Sequence, residues 1–118
     1  MTSHHELGRS GESMAALWLE VRGFTILEKN WRIGHLEIDL IATKAEWLHI
    51  IEVKTRSSAT WGGPELSVDP KKFNRLRNAA HIYLSSKRRF RWIQFDILAI
   101  TVAKNQKTTI EYFEDVYY

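Results

Sequence analysis

Cysteine is absent from this chain, which excludes disulfides and thiolate metal sites and leaves carboxylates, histidines, carbonyls and water as metal donors. Proline occurs only twice in 118 residues. With 44% hydrophobic and 12% aromatic residues, the composition is that of a folded globular protein rather than a disordered one. No apolar run approaches the roughly 18 residues a bilayer-spanning helix needs, and the start, Met1 to Glu6, lacks a basic segment followed by an apolar one. A cytoplasmic location without membrane association is expected. The length suits one domain over residues 1–118, with one core and one site.

Acidic residues are also missing from one long stretch. Between Pro70 and Phe95 lie Lys71, Lys72, Arg75, Arg77, Lys87, Arg88, Arg89 and Arg91 with no Asp or Glu, so this segment carries +8 against −5 for the rest of the chain. Such a segment can follow a polyphosphate backbone, although a basic run by itself also describes a solvated helix face.

Leu7, Gly11, Met14, Ala15, Trp18, Leu19 and Arg22 recur at three- and four-residue steps and predict an amphipathic helix over about 5–22, stopped by Gly23. Glu12 falls at the edge of its apolar stripe. Strands are predicted over 24–31, 36–42 and 47–55, the last two forming an antiparallel hairpin through the polar connection 43–46. The run Trp47-Leu48-His49-Ile50-Ile51-Glu52-Val53 is apolar on both faces, as in a central strand covered on two sides. Ser57 to Val68 reads as a loop. Asp69 and Pro70 supply the cap and first turn of a helix to about Leu84, and strands follow over 90–102 and 108–117. The order α-β-β-β-α-β with an added terminal strand implies an α/β fold, a mixed β-sheet flanked by helices.

Chemistry is concentrated in the hairpin. Residues two apart on a strand share a face, so Glu52 and Lys54 are neighbours. A turn centred near Lys44 and Ala45 would set Asp39 opposite about Ile50, diagonal to Glu52 on the same face, with Glu37 one step further from the turn. Charged groups in so apolar a strand are costly unless they are paired or hold a cation, and converging carboxylates suit Mg²⁺ or Mn²⁺. Beside such an ion Lys54 could orient water or stabilise charge on a phosphoryl group, which points to phosphodiester hydrolysis. A Glu-x-Lys alone describes a structural ion-pair network equally well. The weight comes from its conjunction with Asp39, Glu12 and the basic segment.

Together these residues resemble a known family. Gly8-Arg9-Ser10-Gly11-Glu12, Glu37-Ile38-Asp39-Leu40-Ile41-Ala42, Ile51-Glu52-Val53-Lys54-Thr55-Arg56, Lys72 with Arg75-Leu76 and Ala79-Ala80, and Phe95-Asp96 are similar to the YraN family of bacterial proteins over nearly the whole chain. That family is similar in fold to archaeal Holliday-junction resolvases and other PD-(D/E)XK, restriction-endonuclease-like proteins. The resemblance implies that Glu12, Asp39 and Glu52 bind Mg²⁺ or Mn²⁺ and that Lys54 is catalytic with them. One position departs: the family usually has glycine before its Glu-Ile-Asp, and here Leu36 stands there.

The expected activity is endonucleolytic cleavage of DNA rather than RNA, of branched or structured rather than sequence-specific sites, with Arg56, Lys71, Lys72, Arg75, Lys87 and Arg88 as nucleic-acid contacts. The alternatives are a nucleic-acid-binding protein that keeps the fold without turnover and a protein-interaction module; homodimerisation is left open. The histidines show no ligand spacing, and His49 points away from Glu52 as a core or interface residue. Trp61, in the glycine-rich loop after the third strand, could stack on an unpaired base or wedge into a junction, and packing within its own loop describes it equally well. Asp96 is expected to pair with an arginine or to support the site from behind.

Overall fold

The computed structural model describes residues 4–57, 70–85, 90, 92–105 and 107–116. Their order is α1 (His4–Val21), β1 (Thr25–Ile33), β2 (Leu36–Lys44), β3 (Trp47–Ser57), α2 (Pro70–Ser85), β4 (Trp92–Val102) and β5 (Thr108–Phe113). One five-stranded sheet runs β1-β2-β3-β4-β5, with β3 and β4 parallel and the other neighbours antiparallel. The α/β mixed sheet flanked by two helices expected from the sequence is therefore present. The parallel pair follows from α2, which separates β3 from β4 and lets the chain re-enter the sheet in the same direction.

Each helix covers one face. Ala15, Ala16 and Leu19 of α1 pack on Leu40, Ala42, Ile51, Leu98 and Ile100. Leu76, Ala79, Ala80 and Tyr83 of α2, at the i, i+3, i+4, i+7 spacing of one helix face, pack on Ile38, Ile41, Leu48, Ile50 and Phe95. Alternation along β3 supplies both cores, so this strand is apolar on both sides as expected. Small residues on α1 permit close approach to the sheet: a methyl group on Gly11 would lie 2.2 Å from Thr55 Oγ1. The helix ends where predicted. Gly23 has φ 92°, and the N–H groups of Phe24 and Gly23 return to the carbonyls of Leu19 (3.0 Å) and Glu20 (3.1 Å), which satisfies the last turn.

Two expectations are corrected. The β2–β3 turn is Ala45-Glu46, with Lys44 opposite Trp47 and Leu40 opposite Ile51, so the register carries Asp39 toward Glu52 rather than Ile50. Ala45 takes the left-handed backbone region, φ 56°, which centres the turn one residue later than the polar pattern implied. The last strand ends at Phe113 rather than Tyr117. Beyond it the chain folds back onto β4, where the N–H of Val116 donates to Phe95 O at 2.9 Å and that of Asp115 to the Asp96 carboxylate at 2.9 Å.

Candidate metal centre in a forked sheet

Pairing between β2 and β3 runs from Lys44↔Trp47 to Leu40↔Ile51 and then stops. Beyond that point β2 stays with β1, through Ile38↔Trp31 to Leu36↔Ile33, while β3 stays with β4, from Glu52↔Ile97 to Ser57↔Val102. The sheet opens as a fork. Asp39 is the first unpaired residue of one arm and Glu52 that of the other. On the β1 side Asn30 stands where a partner of Asp39 would be and has φ 52°, a conformation Asn tolerates better than most residues. Around this irregularity strict alternation in β2 fails: Ile38 packs in the α2 core and Leu40, two residues on, in the α1 core.

A strand that loses its neighbour leaves backbone donors unpaired, and buried N–H groups require partners. Asp39 Oδ2 accepts the N–H of Val53 at 2.9 Å, so the carboxylate itself bridges the base of the fork. Burial pushes the Asp39 carboxyl up from 3.8 to about 6; the Val53 hydrogen bond opposes this, and the negative charges of Glu12, Glu52 and Glu37 add to it. Glu12 thus reaches the same electrostatic site from α1, where the Gly11–Thr55 contact holds the helix against the β3 arm.

Glu52 is more deeply enclosed, with its side chain 7% exposed. Its Oε1 pairs with Lys72 Nζ of α2, and its Oε2 is buried with no hydrogen-bond partner among the described residues. Glu37, Asp39, Glu52, Lys72 and Leu76 line one cavity of about 150 Å³. It continues through shared walls at Glu37, Lys72 and Leu76 to a second hollow bordered by His35, Leu36 and Arg75, and from there toward Arg32 and Gly34. Arg32 is paired with Glu37 at 3.4 Å on this wall. The result is a groove with acids at its deep end and cationic side chains along its length.

Asp39, Glu52 and Glu37 are therefore brought together as the sequence implied, and Glu12 acts on Asp39 from the opposite helix. Lys54 and Arg56 follow Glu52 at two-residue steps on the β3 arm and are half-buried. Lys71 and Arg75 lie exposed on α2, while Lys87, Arg88 and Trp61 lie outside the described residues. Among the described residues, no three His, Asp or Glu side chains stand close enough to ligate one ion in this conformation. The donor chemistry still suits a hard cation: the carboxylates offer only oxygen, one of those oxygens is buried without a partner among the described residues, and burial raises the Asp39 carboxyl to about 6, so that its ionised form is held at a cost a cation would relieve.

The contact of Lys72 with Glu52 departs from the sequence expectation, in which Lys72 belongs with the nucleic-acid-facing cations. A signal was available in the helix period, since Leu76 faces the sheet and Lys72 lies one turn before it on the same side. A second polar group also escaped. Asp96 is buried and accepts from His49 Nδ1 (2.6 Å), Gln94 Nε2 (2.8 Å), the Tyr112 hydroxyl and the Asp115 N–H, with no arginine among its partners in the described residues. Burial alone would raise its carboxyl; these four hydrogen bonds outweigh it and hold the group below 3.8. His49 is a core histidine as expected, with its ring edge-on to Phe24 at 5.0 Å between centroids.

Residues 11–100 match the profile of Uncharacterised protein family UPF0102. A UPF0102 protein of Flavobacterium psychrophilum is 41% identical over 118 residues, covering 100% of this chain and 98% of its own. One of Bacteroides thetaiotaomicron is 37% identical, covering 100% and 97%. One of Dictyoglomus thermophilum is 40% identical over 106 residues, covering 89% and 90%. The stretch that matches the family spans Glu12, the fork and α2, and the chain belongs to the UPF0102 family.

Proposed function

We propose that the chain is a divalent-metal-dependent endonuclease of the PD-(D/E)XK type, acting on branched or otherwise structured DNA. The observation that carries this reading is Glu52 Oε2, buried with no hydrogen-bond partner among the described residues, on a side chain that shares its cavity with Asp39 at the fork in the sheet. A buried anionic oxygen without a donor is costly, and a second buried carboxylate lining the same cavity, that of Asp39, favours a cation between them. The resemblance of the Glu12, Glu37-Ile38-Asp39 and Glu52-Val53-Lys54 segments to the YraN proteins supports the same assignment.

Asp39 and Glu52, with Glu12 from α1, would hold Mg²⁺ or Mn²⁺. When bound, that ion would polarise a phosphoryl oxygen and lower the pKa of a coordinated water. Lys54 lies two residues after Glu52 and supplies positive charge where negative charge develops on the phosphoryl group. Arg75 of α2 borders the groove, and with Lys71 of α2 and Arg56 of β3 would supply charge for flanking phosphates, contacts that position the strand without reading its sequence. Enclosure of Glu52 keeps bulk water from the deep end and strengthens each of these interactions.

A second reading, nucleic-acid binding without turnover, is favoured by two observations: Lys72 occupies Glu52, and no three ligands are gathered among the described residues. Cleavage of a panel of branched, duplex and single-stranded DNA and RNA with Mg²⁺ or Mn²⁺, run beside the Asp39→Asn protein, decides between them. The nuclease reading expects metal-dependent cleavage that Asp39→Asn abolishes. Salt-dependent DNA binding with no cleavage of any substrate would establish the second reading instead.

A further inference from the structure

Lys72 is an exposed helix residue whose ammonium ends in a buried place. Its side chain is 53% exposed while that of its partner Glu52 is 7% exposed, so the lysine reaches inward from solvent to the wall of the cavity that also holds Asp39 and Glu37. Three acidic side chains and one cation share that space. The cation neutralises one oxygen of Glu52 and leaves the other without a partner among the described residues, which is what a single point charge does at a site with more oxygen donors than it can fill. Lys72 also lines the neighbouring hollow, with His35, Leu36 and Glu37, so a flexible four-carbon stem can carry its ammonium outward into that space.

We infer that Lys72 is a tethered counter-ion that holds Glu52 in the metal-free protein and is exchanged for the divalent cation. This rests on the metal reading of the fork. The lysine competes with the ion for Glu52 and repels it from the same cavity, so it sets metal affinity and keeps the carboxylates from forcing the fork open when no metal is present. Displacement turns the ammonium into the groove, where it adds positive charge only once the site is loaded. Lys72 is thus a positioning residue that couples metal occupancy to the charge of the groove.

Calorimetric titration with Mn²⁺ tests this on the wild type, Lys72→Met, Lys72→Gln and Asp39→Asn. Removing the competitor should tighten Mn²⁺ binding by about two- to fivefold, the scale of one partly exposed ion pair, and enlarge the metal-induced rise in Tm. Saturable binding by Lys72→Met but not by the wild type would support the exchange more strongly still. Equal or weaker binding by both Lys72 variants, with the wild type binding and Asp39→Asn not, overturns the exchange and leaves the metal site standing. No saturable binding by any of the four proteins removes the metal reading and this inference together. A readout on the unaltered chain is the Lys72 side-chain NMR signal, which Mg²⁺ should move to the position it adopts in metal-free Glu52→Gln. A signal that stays unmoved at saturating Mg²⁺ contradicts the exchange.

Discussion

Asp39 Oδ2 accepts the Val53 backbone N–H at 2.9 Å, one step past the last Leu40↔Ile51 pair of the β2–β3 ladder. A side chain therefore takes over where main-chain pairing ends, and the same carboxylate that would meet a metal also closes the base of the fork. Structure and chemistry are tied at this residue, and the two roles can be separated by substitution.

Asp39→Asn keeps an acceptor for Val53 but removes the charge. A carboxyl whose folded value, about 6, lies above its ordinary 3.8 favours folding fully below 3.8 and loses that advantage as pH rises through 6. In the metal-free state the Asn variant should therefore gain on the wild type between pH 4 and pH 7, by about 2 to 3 kcal/mol at most. Asp39→Ala, which strands the Val53 N–H, should lose about 1 to 3 kcal/mol relative to Asn at the same pH. Urea unfolding with chelator at pH 4.5 and pH 8 measures both. Parallel pH dependence in wild type and Asn variant would contradict the burial of this charge.

Gly11 sets the distance between α1 and the β3 arm. Gly11→Ala places a methyl group 2.2 Å from Thr55 Oγ1, and the helix must lift or the threonine turn. A loss of about 1 to 3 kcal/mol is expected, as for overpacked cores. Adding Thr55→Ala removes the clashing hydroxyl, leaves Cβ as the nearest atom at 3.4 Å, and should recover part of the loss. Mn²⁺ affinity should fall in Gly11→Ala and return in the double variant, because Glu12 travels with the helix. Additive effects of the two substitutions would show that the contact is relaxed in solution.

Asp96 anchors the far side of the sheet rather than the fork. Asp96→Asn replaces an acceptor facing four donors with a group that can satisfy only some of them, at a cost of about 2 to 4 kcal/mol. Because its folded pKa is depressed below 3.8, the contribution of Asp96 is present above that value and lost only as pH falls through the depressed one. The deficit should then be constant from pH 8 to pH 5 and shrink below pH 4. Cleavage per folded molecule should be unchanged, and a selective loss of turnover would assign Asp96 to the site instead.

Lys54 follows Glu52 on the β3 arm. If it stabilises charge on the reacting phosphoryl group, Lys54→Met should leave metal and DNA affinity near wild type and reduce single-turnover cleavage by about two orders of magnitude. Thermal unfolding of the same preparation is the control. A lowered Tm with normal cleavage would make Lys54 a structural ion-pair residue.

Most of the fold was legible because its cores are periodic. Leu76, Ala79, Ala80 and Tyr83 declare α2 at helical spacing, and the doubly apolar β3 declares a covered central strand. The pairing register was not, since moving the turn centre from near Lys44 and Ala45 to Ala45-Glu46 slides the partner of Asp39 by two residues while keeping its face. That is why the cluster of Asp39, Glu37 and Glu52 could be foreseen with the wrong neighbour. The fork had no signature at all. It depends on where a ladder stops and on the left-handed backbone of Asn30, neither of which alters hydrophobic spacing. Asp96 was misread for a related reason, because three of its four partners come from β3, β5 and the chain beyond β5, which only the strand order brings together.

Whether the fork between Asp39 and Glu52 takes a divalent cation can be seen by anomalous diffraction at the manganese edge, from crystals of the wild type grown with Mn²⁺. A cation site there gives a single strong peak within ligand distance of both carboxylates, about 2.0 to 2.6 Å for oxygen donors to a hard cation, with Lys72 withdrawn from Glu52. A map with no peak in the fork, and Lys72 still paired to Glu52 at saturating Mn²⁺, would show that the fork is not a cation site.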